Sequence, residues 1–442
     1  MKVTIDGLEP LVGKVRISGS KNASLKLIVA SLFCNEDVVI DNVPRIENIE
    51  SDLALIKALG AKVEWLSANK LVLNGSTISA YEVPLELGSK YRTSALLAGP
   101  LLYRFGNASI PKPTAGKIGP RPINRWIDTW DALGYELKED DSYYHLKTKR
   151  LANAEINFKV SSVMGTENAL FSSLFIPGET MITGAAAEPE VDQTIKFLTM
   201  IGANIKRVEE RKIVVNGSQG FGGGKFIVMS DRTEVVTFVT AALATYGDIE
   251  IEGAVSGDIL PFMRKLEAMK ASFEFVGTTL RVWRSKNQVL ESVNVETAPA
   301  PGFMTEWQSL IAVLLTQANG VGYIHETVYT DRFLYVKELN RMGAKITLLQ
   351  PSQVGLEKKI SDDNYDEAVL GEPYTVARIE GVTPLRREKI SIPDLRSGAA
   401  LVVAALAAEG RTDLFGFENV NAGFEHFDEK LKLLGAKLST VA

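Results

Sequence analysis

The sequence predicts an α/β protein of two domains, each built from three copies of one small unit with buried helices at its centre and sheets outside. Three observations predict this. First, a corner of the Leu-Gly-Ala type recurs six times, at Leu59-Gly60-Ala61, Leu133-Gly134-Tyr135, Ile201-Gly202-Ala203, Met269-Lys270-Ala271, Met342-Gly343-Ala344 and Leu434-Gly435-Ala436. A spacing of about 70 residues is too long for a solenoid repeat and suits a small α/β unit used six times. Second, a stretch apolar on every side precedes each corner: 23–33, 94–102, 169–175, 235–244, 309–315 and 398–408. A helix of that kind is buried, not amphipathic. Third, segments that run into the corners, such as 52–59, 193–201 and 429–434, mix charged and apolar positions and predict helices with one wet face.

In chain order, residues 2–17 predict an N-terminal strand that could complete the sheet of either domain. Residues 38–41, 181–183, 248–252 and 321–325 predict strands after buried helices, and 62–65, 204–208, 272–276 and 345–348 predict strands after corners. The stretch 106–124 carries Pro111, Pro113, Gly116, Gly119, Pro120 and Pro122 and reads as a long loop, a length typical of lids or disordered segments. The glycine-rich run 217–224 reads as a linker at the end of the third unit. Residues 350–388 swell the last unit, with a solvated excursion around 361–367. Placing the N-terminal strand with units four to six gives a discontinuous domain, 1–20 with 229–442, and an inserted domain, 21–228. The chain then crosses twice between domains, a hinge suited to an enzyme that closes over its substrate.

At 442 residues the chain exceeds what one core usually serves. Its 45% hydrophobic and 23% charged content is that of a soluble globular protein. A net charge of −5 argues against wholesale nucleic-acid binding, so any basic site must be local. The first residues lack the apolar core of a signal peptide, and the longest apolar run, 398–408, is too short to span a bilayer. A single cysteine, Cys34, fits a reducing compartment. Three scattered histidines make a His-based metal site or Ser-His triad improbable. The expectation is a cytoplasmic protein that needs neither metal nor cofactor and engages neither membrane nor nucleic acid.

Each buried helix opens on polar residues: Lys21-Asn22, Arg92-Thr93, Thr166-Glu167-Asn168, Asp231-Arg232, Thr305-Glu306-Trp307 and Asp394-Leu395-Arg396. A helix start offers unpaired N–H groups and a positive dipole end, so anions settle there. Lys21, Arg92, Arg232 and Arg396 stand at such starts and Arg121 lies in the long loop, a set suited to a ligand with several phosphate or carboxylate charges. The alternative is that Ser20, Thr166, Asp231 and Asp394 cap helices while the cations are solvated. Six aligned starts with four cations favour a shared site. Glu306 follows a rigid Pro-Gly lead, 298–305, and is a candidate general base; it also suits a helix N-terminus without any chemistry. Lys21 and Lys117 are its possible partners. His325 and Cys34 lie in apolar surroundings and read as core.

The stretches Ser18-Gly19-Ser20-Lys21-Asn22-Ala23, Gly116-Lys117-Ile118-Gly119-Pro120-Arg121-Pro122 and Asp394-Leu395-Arg396-Ser397-Gly398-Ala399 together resemble the enolpyruvyl transferases. Thr297-Ala298-Pro299, Gly302-Phe303, Ala187-Glu188-Pro189-Glu190 and Val163-Met164-Gly165-Thr166-Glu167-Asn168 add to the likeness, which runs the whole length. The resemblance implies two inside-out α/β barrel domains closing over a cleft. It implies transfer of the enolpyruvyl group of phosphoenolpyruvate to a hydroxyl of a uridine nucleotide sugar, UDP-N-acetylglucosamine, with release of phosphate. By position, Lys21, Arg121 and Arg396 would hold phosphoenolpyruvate, with Arg92 near the acceptor. Asn22 and Glu306 would contact the acceptor hydroxyl, Glu306 taking its proton. The uridine would lie against Arg121, Pro122, Ile123, Asn124 and Arg125, the diphosphate near Ser161, Ser162, Val163, Met164 and Gly165, and the sugar near Val328. Arg232 matches a charged position at the domain junction, and Asp394 belongs to the substrate-binding set.

Four positions depart from the family. A Cys or Asp that donates a proton or serves product release in the family's lid is Gly116 here, which has no side chain for either task. The base, Asp in the family, is Glu306, one methylene longer. A uracil-side Asp is Asn124, and an Arg near the C-terminus is Ala422. Three functions therefore compete: the UDP-N-acetylglucosamine enzyme with altered lid chemistry, a transferase using another uridine nucleotide such as UMP, and a binding protein without turnover. Retention of Lys21, Arg92, Arg121 and Arg396 speaks against the last, because buried cations are costly without an anion.

Overall fold

The computed structural model describes residues 1–90, 92–113, 123–359, 361 and 365–441. They form two compact units, Met1–Ser18 with Ser230–Ala442, and Gly19–Met229.

Within unit Gly19–Met229, three helices lie buried: α1 (Lys21–Ala30), α2 (Ala98–Phe105) and α3 (Val163–Ser173). Its three sheets run, in strand order, Gly224–Ile227, Val38–Asp41, Lys70–Asn74, Lys62–Ser67; then Asn204–Glu209, Lys212–Asn216, Glu179–Thr183, Glu155–Asn157; then Asn107–Pro111, Tyr143–Thr148, Tyr135–Glu139. The other unit buries α4 (Arg232–Ala244), α5 (Gln308–Gln317) and α6 (Leu395–Ala407). Every residue of α4 is buried, its apolar side chains together with Arg232, Glu234 and three threonines.

One repeat has a simple logic. A leading strand enters a buried helix, and the chain returns as a second strand parallel to the leader. Parallel pairing needs such a crossover, and a helix supplies it. Thus Glu155–Asn157 pairs with Glu179–Thr183 across α3, Val295–Glu296 with Gly320–His325 across α5, and Lys389–Ser391 with Arg411–Phe415 across α6. A wet-faced helix and an antiparallel hairpin then complete the sheet.

The first and fourth repeats exchange leaders. Val12–Arg16, which precedes α1, pairs in parallel with Asp248–Glu252, which follows α4. Gly224–Ile227, which precedes α4, pairs with Val38–Asp41, which follows α1. This exchange is why the chain changes unit twice. In one unit Ser20 N donates to Met229 O at 2.7 Å, and in the other Asp231 N donates to Ser18 O at 2.9 Å.

The corners explain their glycines. Gly60, Gly134, Gly202, Gly343 and Gly435 all have positive φ, between 80° and 113°, where a side chain is strained. Lys270 takes the same place in the fourth repeat at φ 60°, in the left-handed region without glycine's freedom.

Four readings of the sequence need correction. The N-terminal segment is two strands in two sheets, because the chain turns at Gly7 and Leu8: Lys2–Asp6 lies between Arg411–Phe415 and Lys437–Val441, and Val12–Arg16 lies elsewhere. The expected long loop starts late, since Asn107–Pro111 is a strand despite its proline; Pro111 ends it. The 94–102 helix is split into a 3-10 turn, Arg92–Leu97, and α2, because Pro100 lacks the N–H that would bond back to Leu96. The glycine run is held at its two ends and is not a loose linker: a Cβ on Gly217 would fall 2.0 Å from the Ile176 carbonyl oxygen, and one on Gly223 2.3 Å from the Asp37 carbonyl oxygen.

Candidate active site

In unit Met1–Ser18 with Ser230–Ala442, three helix starts come together. The Asp231 carboxylate accepts from Thr233 N (2.8 Å) and Glu234 N (3.1 Å), capping α4 and placing Arg232 in its first turn. Asp394 caps α6 in the same way, accepting from Arg396 N (2.8 Å), Ser397 N (3.1 Å) and Ser397 Oγ (2.6 Å). So the cap reading and the cation reading both hold: the acid caps, and the neighbouring arginine is thereby aimed. Between them, the 3-10 turn Thr305–Trp307 leads into α5. Trp307 is fully buried, edge-on to Phe262 and Phe303, with the Arg232 guanidinium 5.6 Å from its ring centroid. That anchor leaves the Glu306 side chain 22% exposed beside it.

Glu306 is ringed by guanidiniums. Arg332 Nη2 lies 3.9 Å from its Oε1. Burial pushes the carboxyl up, but Arg396, Arg332 and Arg232 outweigh it and hold the group below its ordinary value. An ionised carboxylate among three cations can accept a proton while the surplus positive charge holds an anion. Arg332 Nε is buried and meets no hydrogen-bond acceptor among the described residues.

Unit Gly19–Met229 carries a second set. Ser20 Oγ accepts from Ala23 N at 3.3 Å, which caps α1 and puts Lys21 and Asn22 in its first turn, both half-buried. Ser162 Oγ accepts from Gly165 N at 3.1 Å, so Val163, Met164 and Gly165 open α3; Ser161 Oγ is buried without a hydrogen bond among the described residues. Arg92 opens the 3-10 turn with its guanidinium 5.2 Å from the Trp126 ring. Trp126 belongs to the helix Asn124–Ala132, so Arg92 meets the element that presents Asn124 and Arg125, behind buried Ile123.

Beneath these starts sits a charged cluster. Lys26 Nζ is 3.6 Å from Glu167 Oε2, and Thr93 Oγ1 donates to Asp52 Oδ1 at 3.1 Å. Burial pushes Glu167 and Asp52 each up to about 7, against the pull of Lys26 on both. Glu190 and Glu188 push Glu167 further in the same direction.

The structure brings Arg232, Glu306, Asp394 and Arg396 together, with Val328 on a segment tied to the Glu306 turn through Glu326. It brings Arg92 to the helix of Asn124 and Arg125. Gly116, Lys117, Arg121 and Pro122 lie outside the described residues. Thr166 is no cap: it sits inside α3, and its Oγ1 accepts from Ala186 N at 2.9 Å. His325 and Cys34 are buried, as core residues are, and burial pushes the Cys34 thiol up to about 12. Sequence reasoning missed Arg332, Glu326, Lys26 and Asp52. Arg332 follows a turn and no helix start, so the pattern that found the other arginines passes over it. Among the described residues no group of three or more His, Cys, Asp or Glu side chains is placed to hold a metal ion, and no helix is long and apolar enough to cross a membrane.

A carboxylate among guanidiniums at converging helix starts, on a sixfold α/β repeat, is a site suited to anions. The family model described as EPSP synthase (3-phosphoshikimate 1-carboxyvinyltransferase) matches residues 5–431. The chain belongs to this family, and it is an enolpyruvyl (carboxyvinyl) transferase. It is 35% identical over 442 residues to "UDP-N-acetylglucosamine 1-carboxyvinyltransferase 2" of Carboxydothermus hydrogenoformans, covering 100% of this chain and 99% of that one. A relative from Legionella pneumophila, "UDP-N-acetylglucosamine 1-carboxyvinyltransferase 1", is 34% identical over 99% of this chain and 82% of its own. The enolpyruvyl transferase NikO from Streptomyces tendae superposes with a TM-score of 0.85 at 22% identity, over 99% of this chain and 98% of that one. An EPSP synthase from Acinetobacter baumannii gives 0.71 at 17%, over 99% and 100%. At those identities the likeness to the solved structures is one of fold.

Proposed function

We propose that the chain transfers the enolpyruvyl group of phosphoenolpyruvate to a hydroxyl of UDP-N-acetylglucosamine and releases phosphate, a step in making peptidoglycan precursors in the cytoplasm. The observation that carries this reading is Glu306, kept ionised among Arg396, Arg332 and Arg232. Phosphoenolpyruvate brings a phosphate and a carboxylate, and a proton acceptor beside surplus guanidinium charge is what its attack by a hydroxyl needs. In the net change the acceptor oxygen bonds to the carbon that carried phosphate, the bond from that carbon to phosphate oxygen breaks, and Glu306 takes the hydroxyl proton for delivery to the departing phosphate.

Lys21 and Arg396, with Arg121, serve phosphoenolpyruvate; Arg92 and Asn22 serve the acceptor. Pro122, Ile123, Asn124 and Arg125 serve the uridine, Ser161 to Gly165 the diphosphate, and Val328 the sugar. Arg232 and Asp394 hold the Glu306 surroundings in place. The two units act as the two domains of this reaction, each an inside-out barrel of three repeats. Relatives of about 35% identity named for UDP-N-acetylglucosamine support this acceptor. Gly116, Asn124 and Ala422, which depart from the family, favour keeping a simpler uridine nucleotide as the second reading.

Phosphate release from phosphoenolpyruvate, with UDP-N-acetylglucosamine and UMP as parallel acceptors, tests the proposal. Release with the sugar nucleotide is expected. Release with UMP alone would move the chain to the second reading.

A further inference from the structure

Glu326 is fully buried at the end of the strand Gly320–His325, a costly place for a carboxylate unless every lone pair is used. Here four donors use them. Glu326 Oε1 accepts from Thr297 Oγ1 (2.9 Å), Val328 N (2.8 Å) and Tyr329 N (3.1 Å). Oε2 accepts from Thr305 Oγ1 at 2.8 Å. Thr305 is the residue before Glu306 and opens its turn, while Val328 and Tyr329 begin the segment that carries Arg332. One buried side chain therefore joins the turn of the proton acceptor to the segment of its nearest cation.

We propose that Glu326 is a positioning residue: through Thr305 it fixes the Glu306 turn, and through the Val328 and Tyr329 amides it fixes the Arg332 segment, so that base and cation keep their spacing. The proposal rests on the reading of Glu306 as the proton acceptor. Glu326 is fully buried and acts through these neighbours. A core that needed only to be filled would have no use for four donors from three separate segments converging on one carboxylate.

The charged groups around this pair are few. Arg232, Arg332 and Arg396 act on Glu306, and Glu326 faces Arg332 and the Tyr335 phenol. Two substitutions separate tie from charge. Thr305→Val cuts the one bond to the Glu306 turn. Glu326→Gln keeps the three bonds to Oε1, and its amide can donate to Thr305 Oγ1, so mainly the charge is lost.

The tests are steady-state kinetics and carbon-13 NMR titration of labelled glutamate carboxyls, with Glu306→Gln assigning the Glu306 signal. Thr305→Val is expected to lower kcat about 10- to 100-fold, the effect of a displacement near 1 Å, with KM for phosphoenolpyruvate within about twofold and with recovery in Thr305→Ser. Glu326→Gln is expected to move the Glu306 titration to lower pH, because Arg332, which faces both carboxylates, then serves Glu306 alone. Thr305→Val with unchanged kcat and an unmoved Glu306 titration in both variants would overturn the proposal. If the wild type shows no turnover but the titration moves as stated, the functional reading fails and the positioning role stands.

Discussion

The two units repeat one architecture with opposite balances of buried charge. In the unit of Glu306, three guanidiniums surround one carboxylate, and the carboxyl sits below its ordinary value even though burial raises it. In the unit of Lys26, one ammonium faces Glu167 and Asp52, and both rise to about 7. Burial acts in the same direction at all three acids. Three cations reach Glu306 and one reaches Glu167 and Asp52; Glu306 is also 22% exposed, whereas Glu167 is fully buried beside Glu190 and Glu188, and these differences together decide which acid is ionised at neutral pH. The first arrangement suits a proton acceptor with an anionic substrate; the second suits a neutral or proton-sharing core beneath helix starts.

The largest effect should come from removing the cations assigned to phosphoenolpyruvate, Arg396 in one unit and Lys21 in the other. Arg396→Ala should abolish phosphoenolpyruvate binding in a calorimetric titration and let the Glu306 carboxyl rise; Lys21→Ala should abolish binding as well. Normal binding in either would sink the assignment of these residues. Glu306→Gln comes next, with kcat expected to fall about 10²- to 10⁴-fold, the usual range for losing a general base.

Lys26→Met sharpens the other side. It strands two buried carboxylates and should cost about 3–5 kcal/mol at neutral pH, with a smaller loss at pH 5, where protons can replace the ammonium. Equal losses at both pH values would contradict the cluster described here. Glu167 also gives the wild type a signed pH dependence. Its folded value, about 7, exceeds its ordinary 4.5, so the native state holds the proton more tightly. That contribution is complete below pH 4.5 and is lost as pH rises toward 7. Glu167→Gln should flatten this fall in the thermal midpoint measured across the window. The smallest effect belongs to the fourth corner, where Lys270→Gly should raise stability by about 0.5–1 kcal/mol by releasing a left-handed lysine.

Much of this was legible in the chain. The glycine corners are local: each needs a positive φ just after a helix, so the residue type announces the geometry. The helix starts are local too, and a capping acid next to an arginine, as in Asp231-Arg232 and near Asp394-Arg396, marks both the start and its cation. Arg332 was not legible, because its approach to Glu306 depends on a turn after a strand, which leaves no periodic trace. Glu326 and Asp52 were hidden for a related reason: a lone acid at a strand end or in a wet-faced helix looks solvated until its donors are seen. The exchanged leading strands, Val12–Arg16 and Gly224–Ile227, could be placed only by pairing, since a strand's partner is not written in its own residues.

The most direct test is the mass of the nucleotide product. Wild-type protein incubated with phosphoenolpyruvate and UDP-N-acetylglucosamine should yield the sugar nucleotide carrying one added enolpyruvyl group, with one phosphate released per adduct, and Glu306→Gln should yield none on the same timescale. Phosphate release without the adduct, or an adduct formed equally well by Glu306→Gln, would contradict a transfer that depends on the guanidinium-ringed carboxylate.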